Sequence, residues 1–251
     1  MWDSDEIKPL SRSTFLDLIH NRIPAIRLDG FAGKEEIDGL SNALHRHACR
    51  TNSIKEVTRL GISQYEQGIR VSKDNYFLMA DKLNKVFSQI FSRSFSPVQR
   101  LIDELEALGL DVEVMSEPGF GAYFAGNGKL RSGRTPIHVD YSPQDSDGWA
   151  IADSKYQLAW NLYLRVPPQG GELLIWDKHW EPEDDEYQVE NNYFYQEEVV
   201  SGAPMMRVKV NPGEVMMINS RNYHSVAEAE DRFAFGSFIS VFDDLRVRFW
   251  S

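Results

Sequence analysis

The chain contains one cysteine, Cys49, in 251 residues. That excludes an internal disulfide framework and a thiolate-rich metal site, and it fits a reducing cytoplasm. Long apolar runs are also missing. No stretch approaches the ~20 residues a membrane span requires. The opening Met1-Trp-Asp-Ser-Asp-Glu6 is acidic and lacks the basic-then-apolar pattern of a secretory signal. Positive charge is scarce: 27 Lys and Arg face 38 Asp and Glu, giving a formal net charge of -11. Generic binding to nucleic acid or to an anionic membrane is not expected of such a chain.

What is present suits one folded unit. Hydrophobic residues make up 42% of the chain, enough for a sizeable core at this length. We expect a single domain over residues 1–251, with 1–110 as mainly helical support. Ser11 or Ser13 can cap a short helix carrying Phe15, Leu16 and Ile19. Ile23 to Leu28 reads as a strand ended by Asp29-Gly30. Ile37, Leu40, Ala43, Leu44 and Ala48 recur at helical spacing, as do Leu78, Met79, Leu83, Val86, Phe87, Ile90 and Phe91 within Asn75 to Phe91. Pro97 and Gly109 bracket a further helix, Val98 to Leu108.

From about Val112 the pattern changes to short strands between turns: Gly119–Phe124, Ile137–Tyr141, Tyr156–Val166, Gly171–Trp176, Met205–Val210, Glu214–Asn219, Tyr223–Ala227 and Arg232–Phe242. The expected fold is mainly β: a double-sheet jelly roll over 111–251, with the N-terminal helices packed on one sheet. Two connecting segments stand out. Lys129-Leu-Arg-Ser-Gly-Arg134 is a basic cluster, read as a loop, in an acidic protein. Glu181 to Glu198 is acidic, carries Tyr187, Tyr193, Phe194 and Tyr195, and has no Lys or Arg. It is either an exposed insertion or a lid over a site.

Six histidines narrow the search for chemistry. His138 and Asp140 sit two apart in Thr135-Pro-Ile-His-Val-Asp-Tyr141, and residues two apart on a strand share a face. His224, in Arg221-Asn-Tyr-His-Ser-Val226, can close the third corner. Two imidazoles and one carboxylate on one side of an octahedral metal leave three open positions, the arrangement used for non-haem iron(II) oxygen chemistry. A bare His-x-Asp is weak evidence, and the bland alternative is a strand histidine with a turn-forming aspartate. Arg232, eight residues after His224, strengthens the metal reading, because a dicarboxylate co-substrate needs a fixed cation nearby. The rival is a surface pair of Arg232 with Glu230 or Asp231. The remaining histidines fit less well. His45 and His47 lie on a helix, where residues two apart do not share a face. His20 sits at a helix end, and His179 has Asp177 beside it but no third ligand.

On Tyr156–Val166 one face carries Ala159, Asn161, Tyr163 and Arg165, the other Leu158, Trp160, Leu162 and Leu164. Asn161 and Tyr163, with Tyr123 on the strand before the basic cluster, are candidates to hydrogen-bond co-substrate carboxylates. Arg131 and Arg134 are candidates to clamp an anionic substrate group. Trp160 is the candidate aromatic wall.

Together these residues resemble the iron(II) and 2-oxoglutarate-dependent dioxygenases. The likeness rests on His138-Val-Asp140, His224 and Arg232. Asn161-Leu-Tyr-Leu-Arg165 leading into Gly170-Gly-Glu-Leu173 adds to it; this is similar to the paired-glycine turn of the prolyl-hydroxylase-like branch. So does Asn211-Pro-Gly-Glu-Val215 ahead of His224. Within that branch the chain is most similar to bacterial small-molecule enzymes: N-acyl amino acid hydroxylases and the carrier-independent halogenases of alkaloid biosynthesis. The resemblance implies Fe(II), 2-oxoglutarate and O2, with His138, Asp140 and His224 as ligands and Arg232 on the far carboxylate. In the halogenases a small residue replaces the carboxylate ligand and admits chloride. Asp140 at that position implies hydroxylation of a small-molecule C–H, the substrate being an amino acid derivative or natural-product intermediate that carries an anionic group. A desaturase, epoxidase or cyclase on the same iron centre, a cupin-like protein holding another metal, and a non-catalytic binding domain are the alternatives.

Overall fold

The computed structural model describes residues 1–50, 57–66, 69–70 and 72–251. Cys49 lies outside the residues whose side chains are described. Four longer helices come early: α1 (Arg12–Ile19), α2 (Lys34–Arg50), α3 (Lys73–Phe91) and α4 (Pro97–Glu106). Ser11 caps α1 by accepting from the Thr14 amide, and Ser96 caps α4 in the same way from Gln99, with Pro97 in the first turn. These are ordinary start signals: a short side-chain oxygen satisfies an otherwise unpaired amide.

Two sheets form the body. Among the described residues the larger has nine strands. Its main path runs Lys8–Pro9, Ala25–Leu28, Val215–Asn219, Tyr156–Arg165, Arg232–Val241, Arg246–Trp250 and Asp111–Val114. Asn127–Arg131 pairs with the first half of Arg232–Val241, and Val57–Leu60 pairs with Asn127–Arg131 in turn. The smaller sheet has the order Thr135–His138, Asn222–Val226, Leu173–His179, Met205–Val208.

The period-two alternation of Tyr156–Arg165 decides which layer each side chain enters. Leu158, Trp160, Leu162 and Leu164 pack into the large core with Phe15, Leu18, Leu44, Phe87 and Leu101 from the four helices. Ala159 and Tyr163 face the other way, into a smaller core with Leu173, Ile175 and Val226 of the second sheet. The chain is therefore a double-stranded β-helix with a helical layer on the outer face of one sheet, as expected. A third cluster, including Ile137, Trp180, Tyr195, Val199 and Tyr223, seats the 180–200 segment against the smaller sheet. No helix among the described residues is long and apolar enough to cross a membrane.

The structure departs from the sequence reading in three places. The basic cluster is not all loop: Asn127–Arg131 is a strand, and the turn is confined to the residues after it. The expected strand Gly119–Phe124 shrinks to Gly121–Ala122, one arm of a hairpin with Ser116–Glu117. The first 110 residues supply more sheet than expected: beside the expected strand, seen at Ala25–Leu28, the strands Lys8–Pro9 and Val57–Leu60 also join the larger sheet. In the first and third cases pairing to a strand far along the chain, not local propensity, settles the conformation.

Candidate active site

His138 ends its strand, and its Cα partner across the smaller sheet is His224. Direct cross-strand partners project from the same face, so the pairing alone brings the imidazoles together, with ring centroids 4.2 Å apart. Asp140 does not continue the strand, which stops at His138. Its position is set by the Ser220 turn instead: the Asp140 amide donates to the Ser220 carbonyl at 2.9 Å, and Ser220 Oγ donates back to the Asp140 carbonyl at 2.8 Å. The carboxylate then reaches both rings. Asp140 Oδ2 is 3.4 Å from His224 Nε2 and 3.9 Å from His138 Nε2.

Both imidazoles are oriented by the same local device. His138 Nδ1 lies 2.8 Å from the Pro136 carbonyl, and His224 Nδ1 lies 2.9 Å from the Asn222 carbonyl. A carbonyl only accepts, so each Nδ1 is the protonated nitrogen and each Nε2 keeps its lone pair toward Asp140. Burial, and then the neighbouring His224, hold the His138 pKa down at about 3. The imidazole is thus neutral at ordinary pH. Asp140 is held well below the usual carboxylate range: burial pulls its pKa upward, but the adjacent His224 and His138 and the charge of Lys129 outweigh it.

These are the only three His, Cys, Asp or Glu side chains grouped closely enough to hold a metal ion among the described residues, with ligand atoms within 4.8 Å of one another. Ligands at right angles around an ion, each roughly 2.1 Å away, sit about 3 Å apart. The two separations to Asp140, 3.4 and 3.9 Å, exceed that by about 0.4 and 0.9 Å. Two neutral nitrogens and one anionic oxygen also match iron(II) in type. The His179 alternative is not supported: Asp177 accepts from the Trp2 amide at 2.6 Å, and no third ligand stands near among the described residues.

The group opens onto a cavity of about 360 Å³ between the sheets. Arg232 lines it and is 9% exposed. Its guanidinium has no carboxylate partner among the described residues. Asp231, the expected surface rival, pairs with Arg165 at 2.8 Å instead. Burial lowers the Arg232 pKa, Tyr163 opposing and the charge of Arg131 adding to the effect. A buried cation with space in front of it is a receptor for an anion. Tyr163 and Asn161 line the same cavity from the neighbouring strand. Opposite them, Ala234 and Gly236 keep the floor low; a β-carbon at Gly236 would stand 2.0 Å from the Trp160 carbonyl.

Not every expected residue arrives there. Tyr123 is buried against Tyr76, Phe77 and Trp149, and its hydroxyl donates to Glu117; it belongs to the helical core, so its expected contact with a co-substrate is corrected. Arg134 points outward, half exposed, and pairs with Glu197 at 2.9 Å. It is a surface clamp on the 180–200 segment and does not line the cavity. Trp160 borders the cavity but has 0% exposure. Its indole N–H donates to Ser237 Oγ at 2.8 Å amid Phe235 and Phe249, so it supports the floor and offers a substrate no free group. Arg131 does line the cavity.

Other lining residues were not singled out from the sequence, although Lys129 belongs to the basic cluster noted there. Lys129 shares the face of Arg131, and the alternation Asn127, Lys129, Arg131 was the available signal. Its charge acts on both His138 and Asp140. Gln64 and Gln157 also line the cavity, and nothing in the sequence marked either. From the acidic segment, the rings of Tyr193 and Phe194 stand edge-on to His138 at 5.5 and 6.1 Å, and the Tyr195 amide donates to the Ile137 carbonyl at 2.9 Å.

The family model described as "Carrier-protein-independent halogenase WelO5" matches residues 5–251. The chain belongs to this family. A similar relative is the "L-gamma-glutamyl-L-propargylglycine hydroxylase" of Streptantibioticus cattleyicolor, 27% identical over 98% of this chain and 95% of its own length. The "Leucinostatins biosynthesis cluster protein S" of Purpureocillium lilacinum is 32% identical over 72% of this chain and 77% of its own. Among solved structures, an "N-Substituted L-Amino Acid Dioxygenase" from Burkholderia ambifaria superposes with a TM-score of 0.67 at 18% identity, covering 96% of this chain and 91% of that one; at that identity the likeness speaks for the fold. The family, the curated relatives named as a hydroxylase and a dioxygenase, and the His-Asp-His group together make the chain an iron(II) and 2-oxoglutarate-dependent dioxygenase that uses O2.

Proposed function

We propose that this enzyme hydroxylates an unactivated C–H bond of a small, anionic amino acid derivative or natural-product intermediate. His138, Asp140 and His224 hold the iron, and Arg232 holds the far carboxylate of 2-oxoglutarate. The observation that carries this reading is Asp140. In a family named for halogenation, the third corner is filled by a carboxylate within 3.4 and 3.9 Å of the two imidazole nitrogens, leaving no small residue there to make room for chloride. The relatives named as a hydroxylase and a dioxygenase of amino acid derivatives support the substrate class.

Iron(II), when bound, supplies the oxidising chemistry: O2 delivers one oxygen atom to the substrate C–H and the other to succinate, as 2-oxoglutarate loses CO2. The chain's own part is orientation and exclusion of water. The Pro136 and Asn222 carbonyls hold both Nε2 lone pairs on the metal side. Arg232 and the Tyr163 hydroxyl fix the co-substrate from a wall that solvent hardly reaches. Tyr193 and Phe194 close the side next to His138. Lys129 and the polar end of the cavity, around Gln64 and Gln157, aim the substrate.

The test is product mass in chloride-containing buffer. Purified enzyme with iron(II) and 2-oxoglutarate is screened against amino acids and their N-acyl and γ-glutamyl derivatives, with succinate measured in parallel. One added oxygen per succinate supports the proposal. Loss of two hydrogens would replace it with desaturation, and a chlorinated product would return the chain to its family's named activity.

A further inference from the structure

Arg131 and Arg232 are Cα partners across the antiparallel pair formed by Asn127–Arg131 and Arg232–Gly236. Like charges directly opposite on a sheet destabilise it, yet both side chains line the cavity. Neither guanidinium has a carboxylate partner among the described residues. Acids that could have served are committed elsewhere: Asp231 to Arg165 at 2.8 Å, Glu197 to Arg134 at 2.9 Å and Glu172 to Arg207 at 3.6 Å. What Arg131 does have is a positional hold. Its Nη1 donates to Thr135 Oγ1 at 2.8 Å, on the strand that ends at His138. A repulsive pair of this kind is tolerated where an anion sits between its members.

We propose that Arg131 is a second guanidinium on the far carboxylate of 2-oxoglutarate, closing on it with Arg232 from the adjacent strand, and that co-substrate binding relieves the repulsion between them. This rests on the reading given above and assigns Arg131 to the co-substrate, where the sequence alone suggested the substrate. Register decides between the two. Arg131 stands opposite Arg232, whereas Asn127, four residues back, stands opposite Gly236. At ~3.4 Å per residue the two ends of this strand lie about 14 Å apart. The second anchor is therefore at the end that holds the first.

The experiment compares wild type, Arg131→Met, Arg131→Lys and Arg232→Met as purified proteins. Affinity for 2-oxoglutarate is measured by titration calorimetry with manganese(II) under argon, and melting temperature is measured with and without 2-oxoglutarate. Methionine keeps an apolar stem in place of the arginine methylenes but carries no charge. We expect Arg131→Met to bind 2-oxoglutarate at least about tenfold more weakly, the order of one charge-assisted hydrogen bond. We also expect it to melt at or above wild type without ligand, and to gain less on adding 2-oxoglutarate. Arg131→Lys keeps the repulsion and loses the fork: intermediate affinity is expected, with no gain in melting temperature. If wild type binds 2-oxoglutarate and Arg131→Met binds it equally well, the second anchor is wrong while the functional reading stands. A ligand-free Arg131→Met that melts below wild type overturns the repulsion. Wild type that binds no 2-oxoglutarate at all overturns the functional reading, and the inference with it.

Discussion

Gly170 and Gly202 make a matched pair of substitutions, because both have a φ of +77°. An L-residue in that left-handed region costs roughly 1–2 kcal/mol, and alanine at either position incurs it. They differ in surroundings. A β-carbon at Gly202 meets nothing within 4 Å, whereas at Gly170 it would lie 1.9 Å from the Glu228 carbonyl oxygen. Relieving that overlap means moving the 167–172 turn away from the turn that leads into Arg232. Two backbone hydrogen bonds join these turns, Gly171 N to Glu228 O at 3.2 Å and Ala227 N to Glu172 O at 2.9 Å. Each contributes about 1 kcal/mol. Gly202→Ala should therefore cost about 1–2 kcal/mol and Gly170→Ala about 3–4 kcal/mol. At roughly 2–4 °C per kcal/mol for a chain of this size, Gly170→Ala should melt some 10 °C below wild type and clearly below Gly202→Ala. Thermal melts of the three proteins decide it, and the 2-oxoglutarate requirement should rise only in Gly170→Ala, because that turn seats Arg232. Equal melting temperatures for the two variants would refute the contact.

Arg232→Met should raise the Kd for 2-oxoglutarate about 10- to 150-fold, since one hydrogen bond to a charged group is worth about 1.5–3 kcal/mol. Calorimetry checks this, and unchanged affinity would remove Arg232 from the site. Asp140→Ala should abolish coupled succinate formation and weaken metal binding; a fully active variant would mean that Asp140 is no ligand. Asp140→Gly, assayed by product mass in chloride, should lose hydroxylation and yield a trace of chlorinated product. Acid should destabilise the metal-free protein through buried histidines. His138 and His179 are held at about 3 and about 4, mainly by burial, with His224 and Arg221 respectively adding to it. Both lie below the unfolded value of about 6.5, so the unfolded chain binds more protons in that interval. Stability is then complete above about pH 6.5 and lost progressively as pH falls toward 4. His179→Gln should flatten a plot of melting temperature against pH, and an unaltered slope would count against the burial of that ring.

Much of this enzyme was legible in the residues themselves. The helical stripes of Phe15, Ile19, Leu44 and Phe87 pack as their spacing indicates, since a 3.6-residue period leaves one face to bury, whereas Leu78 and Met79, expected in the same stripe, are exposed. The alternation of Leu158, Trp160 and Leu162 against Ala159 and Tyr163 sorts the two cores, because neighbouring strand residues point to opposite faces. His138, Asp140, His224 and Arg232 were identifiable because few residue types suit their chemistry and the chain has few histidines to choose from.

Other features had no local signature. Tyr123 and Trp160 carry side chains suited to a site, yet both are consumed by aromatic cores that distant elements build around them. Gln64 reaches the cavity only because its segment folds beside Asn127, whose side chain donates to the Ile62 carbonyl. Asn127–Arg131 becomes a strand, and Arg131 comes to face Arg232, only when Arg232–Val241 lies alongside. Composition and periodicity determine what a residue can do and which face of its own element it occupies. Which faces meet depends on pairings between residues a hundred positions apart, and only the folded chain makes them.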